Sequence, residues 1–278
     1  MLTTVTTALT EAQVHEVVAL AARQSAEVLS EHKLVGLAAA TGARHLSVRD
    51  GNGTLLAYAQ LAEQGGFTNL ELAWSEIDAA LVAARAALEL VDRSIVQLWS
   101  RRPELPPAVL ELAGQLGLHP ARTVVQLRRS AEGFAPSDLP TRRFHPSQDG
   151  PAFLAANARA FAAHPEQGSW SAEDLAAHLS LGWVDLDLFR VVELDGALAG
   201  WCWGKRVGTE GEIYVIGVDP GFQGRGLGRR LLLAGVEALR KAGAETISLY
   251  VEADNTAARA LYAAEGFEEV GRVTAWRV

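Results

Sequence analysis

Apolar positions along the chain recur in two ways: spaced three or four apart, which marks amphipathic helices, and in alternation or short runs, which mark strands. Read this way, the first half predicts a helix over 10–27 and strands at 44–49, 54–63 and 67–74. A helix at 75–91, a strand at 94–99, a helix at 106–117 and a strand at 121–129 follow. The second half begins with a strand at 141–145 and helices at 149–163 and 171–180. It continues with strands at 188–194, 197–207 and 211–218, a helix at 226–242, a strand at 245–251, a helix at 255–265 and a strand at 267–277. The same order of elements occurs twice, which points to duplication. Asp50-Gly51-Asn52-Gly53 and Asp195-Gly196 are hairpin signals at matching places. The Pro/Gly/Ser-rich stretch from Ser130 to Pro140 lacks periodicity and places a boundary near 135, giving domains 1–135 and 136–278. The expected fold class is α/β, with mixed sheets, in two tandem domains.

The most chemically informative segment runs from Glu212 to Arg229, where an apolar strand enters an amphipathic helix through a glycine-studded turn. Gly224, Gly226 and Gly228 allow close backbone approach, and the helix start offers unsatisfied N–H groups and the positive end of its dipole. Arg225, Arg229 and Arg230 are expected to add charge to this phosphate cradle. No Lys-Ser/Thr follows the glycines, so a P-loop for ATP or GTP is excluded. The spacing Gln223-x-x-Gly226-x-Gly228, near the end of the chain, is not the dinucleotide fingerprint either. An ordinary glycine turn is the plain alternative.

Gln-x-x-Gly-x-Gly after a Val-x-Pro strand end resembles the acetyl-CoA pyrophosphate loop of the GNAT N-acetyltransferase superfamily. Ser248 to Asn255, followed by Ala257 to Tyr262 and Gly266-Phe267, resembles its second motif, a strand, an Asn-capped helix and a Gly-Phe exit. A narrower likeness lies in Asn157-Ala-Arg-Ala-Phe-Ala-Ala-His164-Pro-Glu-Gln-Gly-Ser-Trp170 together with the segments 212–218 and 249–255, which are similar to the mycothiol synthase family. The resemblance is close from about 140 to 278 and loose before that. It implies two tandem GNAT acyltransferase domains and transfer of acetyl from acetyl-CoA to the cysteinyl amine of Cys-GlcN-Ins, an amino-sugar thiol precursor. The cofactor-binding positions it implies are Ile216, Gly217 and Val218, then Gln223, Gly224, Arg225, Gly226, Leu227, Gly228 and Arg229, then Asn255, Thr256, Ala257, Ala258, Arg259 and Ala260. Glu31, Glu166, Lys205, Glu212 and Tyr250 match acceptor-binding positions, Glu31 only weakly, since a solvated glutamate at a helix start explains it equally.

The first half departs from the pattern. Leu70-Glu-Leu-Ala-Trp74 passes through Ser75-Glu76 into an Ala-rich helix with no glycine loop, and Glu76 and Asp78 sit where a pyrophosphate would need positive potential. The first domain is therefore expected to be degenerate, a non-catalytic scaffold beside the acceptor site.

In the second half, acetyl transfer needs oxyanion donors, a base and an acid. The amides of Ile216-Gly217-Val218 suit the acetyl carbonyl, with Gly217 either at a bulge or simply packed. Tyr262 falls two helical turns after Asn255 and is either the acid for the departing thiolate, whose free pKa is about 8.5, or a core tyrosine. Glu212 is a base acting directly or through water, or an exposed strand carboxylate. Asn255 is an N-cap, a coenzyme contact, or both. His164 stands alone, without a second ligand at helical spacing, and reads as capping or packing, so no metal is expected. Trp170, Trp183, Trp201 and Trp203 read as core by default, with Trp170 also a candidate for the sugar site.

A net charge of -8 and a pI near 5.4 argue against a nucleic-acid surface. The single cysteine, Cys202, excludes an internal disulfide and lies in an apolar strand as a packed thiol. No stretch reads as a signal peptide or a membrane span, so a cytoplasmic monomer acting on small molecules is expected. Two alternatives stay open: an acetyltransferase for another small amine or a protein N-terminus, and a coenzyme-sensing protein with decayed catalysis.

Overall fold

Strand and helix residues of the first half form β1 (Leu2–Thr6), α1 (Glu11–Arg23), β2 (Arg44–Arg49), β3 (Leu55–Gln64), β4 (Phe67–Trp74), α2 (Ile77–Leu88), β5 (Val96–Arg101), α3 (Pro107–Leu116) and β6 (His119–Ser130). The second half forms β7 (Arg142–Arg143), α4 (Pro146–Ala160), α5 (Ala172–Leu179), β8 (Phe189–Leu194), β9 (Ala197–Val207), β10 (Glu210–Val218), α6 (Leu227–Lys241), β11 (Thr246–Glu252), α7 (Thr256–Ala264) and β12 (Glu268–Arg277). This computed structural model describes residues 1–23, 42–64, 67–92, 96–101, 107–162, 164 and 167–277. Among them no helix is long and apolar enough to cross a membrane.

The chain divides into two units, Met1–Val124 with Gly271–Val278, and Val125–Val270. In the first, the strand order is β1-β2-β3-β4-β5, antiparallel until β4 and β5, which pair in parallel. In the second it is β7-β8-β9-β10-β11-β6, antiparallel until β10 and β11, which also pair in parallel. The division falls inside β6, while the Pro/Gly/Ser-rich stretch near 135 follows that strand. The chain end from Gly271 returns to the first unit, where β12 runs antiparallel to β5.

Each sheet has two differently furnished faces because successive side chains alternate. In the first unit, Leu46, Val48, Ala57, Ala59, Leu70 and Leu72 meet the alanine stripe of α2, whose small side chains allow close approach. On the other face, Tyr58 and Ala73 pack under Val17 and Leu20 of α1, beside a buried polar group. There His45 Nδ1 lies 2.6 Å from the Tyr58 hydroxyl, with Gln60 and Glu71 next in cross-strand register.

In the second unit, Leu231, Leu232, Val236 and Leu239 of α6 are buried against one face. The fit depends on missing side chains. A Cβ at Gly235 would lie 2.2 Å from Cys202 Sγ, and one at Gly200 2.6 Å from Leu231 Cδ1. The other face carries an aromatic cluster in which Trp201 and Trp203 are fully buried among Phe144, Phe153 and Phe189. α4 begins at Pro146, earlier than the expected 149, because Pro fits the first helical position and Asp149 accepts the His145 amide at 2.6 Å. Ser171 and Asp174 form a reciprocal cap that starts α5.

Two tests follow from the packing. Gly235→Ala should destabilise the chain by about 1–3 kcal/mol through overpacking, and adding Cys202→Ala should recover most of that loss in a denaturant titration. Non-recovery would mean that Cys202 is not what the new methyl meets. Burial holds the His45 pKa below its ordinary value. The unfolded chain therefore takes up that proton first, and stability falls as pH drops below about 6.5. Thermal melts of the wild type at pH 7.5 and 5.5 should differ more than those of His45→Gln.

Candidate active site

β10 and β11 are in register from Glu210↔Thr246 to Ile213↔Leu249, and there the pairing ends, although β10 continues to Val218 and β11 to Glu252. A bulge in β10 at Tyr214 accompanies the parting, since the register with β9 shifts between Ile213 and Val215. Ile216, Gly217 and Val218 stay paired to Cys202, Trp201 and Gly200 of β9 on their other side and are half-buried. The bulge lies at Tyr214 rather than Gly217, whose lack of a side chain has a packing cause: a Cβ there would lie 2.4 Å from Trp201 Cζ2.

The strand ends in a braced turn. Asp219 is buried, its Oδ1 accepts the Gly221 amide at 2.9 Å, and its Oδ2 accepts Arg159 Nε at 3.0 Å. Burial alone would raise this carboxyl's pKa, but the Arg159 and Gly221 hydrogen bonds hold it below the usual value. Gln223 Nε2 donates to Val218 O at 3.3 Å, tying the loop to the strand end. Gly224 and Gly226 have φ of +77° and +72°, the left-handed region that favours glycine. Both have open space where a Cβ would be. Gly226 caps α6 without a side chain, so the amides of Gly226, Leu227 and Gly228 open the helix with no intrahelical acceptor.

The arginines differ from the sequence expectation. Arg229 Nε is held by Glu265 Oε1 at 2.5 Å and Arg230 Nε by Asp138 Oδ1 at 2.7 Å. Arg225 lies with its guanidinium 5.3 Å from the Phe222 ring centroid and one nitrogen 3.9 Å from Asp195 Oδ2. The cradle is thus built mainly from amides.

At α7 the side chain of Asn255 accepts the Ala258 amide at 3.0 Å, so it is an N-cap. Thr256 N donates to Asp254 O and Arg259 N to Asn255 O, while the Arg259 guanidinium donates to Ala253 O at 3.0 Å. Thr256 and Ala257 are exposed at the helix start, and Ala260 is exposed one turn on. Tyr262 is buried in a cluster with Leu249 and Val251 of β11 and Ile213 of β10, against which Ile216 packs; its ring meets Phe267 edge-on at 5.9 Å. Burial first, and the Cys202 thiol second, push the phenol's pKa up, so it carries its proton at neutral pH. Burial pushes Cys202 itself up to about 12.

The opposite face gathers the acceptor candidates. Lys205, Glu212 and Ser248 are cross-strand neighbours on β9, β10 and β11 and therefore point to one side, and Tyr250 follows two residues after Ser248. Tyr250 is exposed, and Lys205 and Glu212 are half-buried. Glu31 and Glu166 lie outside the described residues. Sequence reasoning read Trp183 as core, against which it packs, and not as the ring under the Lys205 ammonium; it missed Glu252, whose Oε1 is 3.7 Å from His164 Nε2. It also missed the Asp219–Arg159 brace, for which the Asp-Pro pair after the strand was an available signal. His164 Nδ1 accepts the Gln167 amide at 2.9 Å, a local cap. Among the described residues no group of three or more His, Cys, Asp or Glu could hold a metal ion.

Residues 154–267 match the family model described as "Acetyltransferase (GNAT) family". A mycothiol acetyltransferase of Kineococcus radiotolerans is 38% identical over 277 residues, covering 91% of this chain and 89% of its own. One of Thermomonospora curvata is 36% identical, covering 93% and 91%. The chain belongs to the mycothiol acetyltransferase family. Its fold agrees: a GCN5-related N-acetyltransferase from Sphaerobacter thermophilus superposes with a TM-score of 0.72 at 20% identity, covering 99% of this chain and 95% of that one. A tandem GNAT protein from the clavulanic acid pathway gives 0.71 at 17% identity, covering 100% and 98%. The chain is thus an N-acetyltransferase with two GNAT-like domains, and enzymes of this fold take acetyl-CoA as acetyl donor. The first domain lacks the glycine cradle, since β4 passes through Ser75 and Glu76 straight into α2, and Ser75 is tied back to Leu56 O.

Asp219→Ala should speed hydrogen exchange of the amides from Gly221 to Gly226 relative to the β9 core, by the equivalent of about 1–3 kcal/mol for lost charged hydrogen bonds. Unchanged exchange would mean that the loop holds its form without the brace.

Proposed function

We propose that this chain transfers acetyl from acetyl-CoA to the cysteinyl amine of Cys-GlcN-Ins, giving mycothiol. The observation that carries the reading is the parting of β10 from β11 beyond Ile213↔Leu249, with the glycine cradle on one side of the sheet and Lys205, Glu212 and Tyr250 on the other. Family membership supports the acceptor. In this reading the donor's pyrophosphate sits on the amides of Gly224 to Gly228, Arg225 adds charge, and the thioester arm enters the gap. Amides from Ile216 to Val218 take the acetyl oxygen, where negative charge develops as the amine attacks.

The balance is simple. A C–N bond forms and the C–S bond of the thioester breaks; the surplus amine proton goes to Glu212, directly or through water, and the coenzyme leaves as a thiolate that Tyr262 protonates. Glu212 faces the acceptor side, whereas Tyr262 belongs to a helix packed on the other face beside the gap. An α-amino group titrates near 8, so the demand on the base is modest. Lys205 and Tyr250 contact the amino-sugar and inositol part. No metal takes part.

Coenzyme release should be faster with Cys-GlcN-Ins than with polyamines, aminoglycosides or peptide amines; equal turnover on those would remove the acceptor assignment. Tyr262→Phe should cut kcat about 100-fold or more while the KM for acetyl-CoA holds. Because the phenol's pKa is raised, loss of its proton should not limit kcat on the alkaline side below about pH 10. An alkaline limb below that value which disappears in Tyr262→Phe would contradict this.

A further inference from the structure

We infer that Trp183 is a positioning residue for acceptor recognition, its indole holding the Lys205 ammonium where the hydroxyl groups of the sugar part meet it. This rests on the reading of Lys205 as an acceptor contact. Lys205 Nζ lies 5.2 Å from the Trp183 ring centroid, within the range of a cation–π interaction. The indole is itself held: its ring meets Tyr214 edge-on at 4.9 Å and Trp203 at 6.0 Å, and Trp203 stacks on Phe189 at 4.5 Å. Trp203 and Phe189 are fully buried, so the ring that carries the cation is fastened to the core.

The physical benefit is pre-organisation. A lysine head on a four-carbon stem samples many rotamers, and ordering it only when the ligand arrives weakens binding. A ring that already holds the ammonium lowers that ordering cost when the oxygen atoms of a polyol, which accept from such a donor, arrive. Trp183 reaches this place from the segment before β8, remote in sequence from Lys205 on β9. Glu212, the cross-strand neighbour of Lys205, lies on the same face, so the held cation borders the proposed base.

The test is a double-mutant cycle on the full chain, reading the Kd for Cys-GlcN-Ins by calorimetry in the presence of CoA. Trp183→Leu should weaken acceptor binding about two- to fivefold, the worth of a partly exposed cation–π contact, and leave acetyl-CoA affinity unchanged. Lys205→Met should weaken it about tenfold, and in that background Trp183→Leu should add nothing. Turnover of cysteine amide, which lacks the sugar, should be the same in wild type and Trp183→Leu. Trp183→Phe, which keeps a ring and guards against misfolding, should lie between the two and show the same dependence on Lys205. An equal loss with or without Lys205, or no loss at all, would overturn the proposal. No effect of Lys205→Met would instead overturn the acceptor reading beneath it.

Discussion

The site depends on a strand pair that stops pairing. Parallel neighbours normally continue to satisfy one another's backbone groups, and a polar edge left open inside a protein is costly. Here β10 and β11 part after Ile213↔Leu249 while both strands continue. A bulge lies at Tyr214, and Ile216 to Val218 stay paired to β9 on their other side. In the proposed reading that open edge is matched by the amide and carbonyl groups of the acetyl-CoA arm.

Parting the strands joins two faces of unlike chemistry. One carries α6, the cradle and α7 with Tyr262, and its turn is built from amides, with Arg229 and Arg230 turned to carboxylates. The other carries charged and aromatic groups on a dense ring cluster in which Trp201 and Trp203 are wholly buried. Tyr262 and Glu212 therefore stand on opposite sides of the sheet, and in the proposed reaction the acetyl carbon lies at the opening between them.

Small residues set how closely these layers approach. Gly200 and Gly235 let α6 lie against β9, and Gly217 gives way to the Trp201 ring. The first unit has a similar strand order and an alanine-lined helix, yet its β4 enters α2 without a glycine turn. Shared strand order therefore does not bring a shared glycine turn: the difference lies in the few residues between strand and helix.

Much of this was legible in the residues alone. The duplicated element order, the strands at 197–207 and 211–218, and the glycine cradle from Gln223 to Gly228 follow from alternation, helical spacing and turn chemistry, which are local properties. Asn255 as a cap was legible for the same reason. The position of the bulge was not, because Gly217 and Tyr214 are distinguished only by what β9 places opposite them. Nor were the partners of Arg229 and Arg230, since Glu265 and Asp138 reach them through folding. Pairing Trp183 with Lys205, and returning the chain end from Gly271 to the first unit, likewise join residues remote in sequence. Periodicity determines which face a side chain takes; only the packed tertiary structure decides which distant group meets it there.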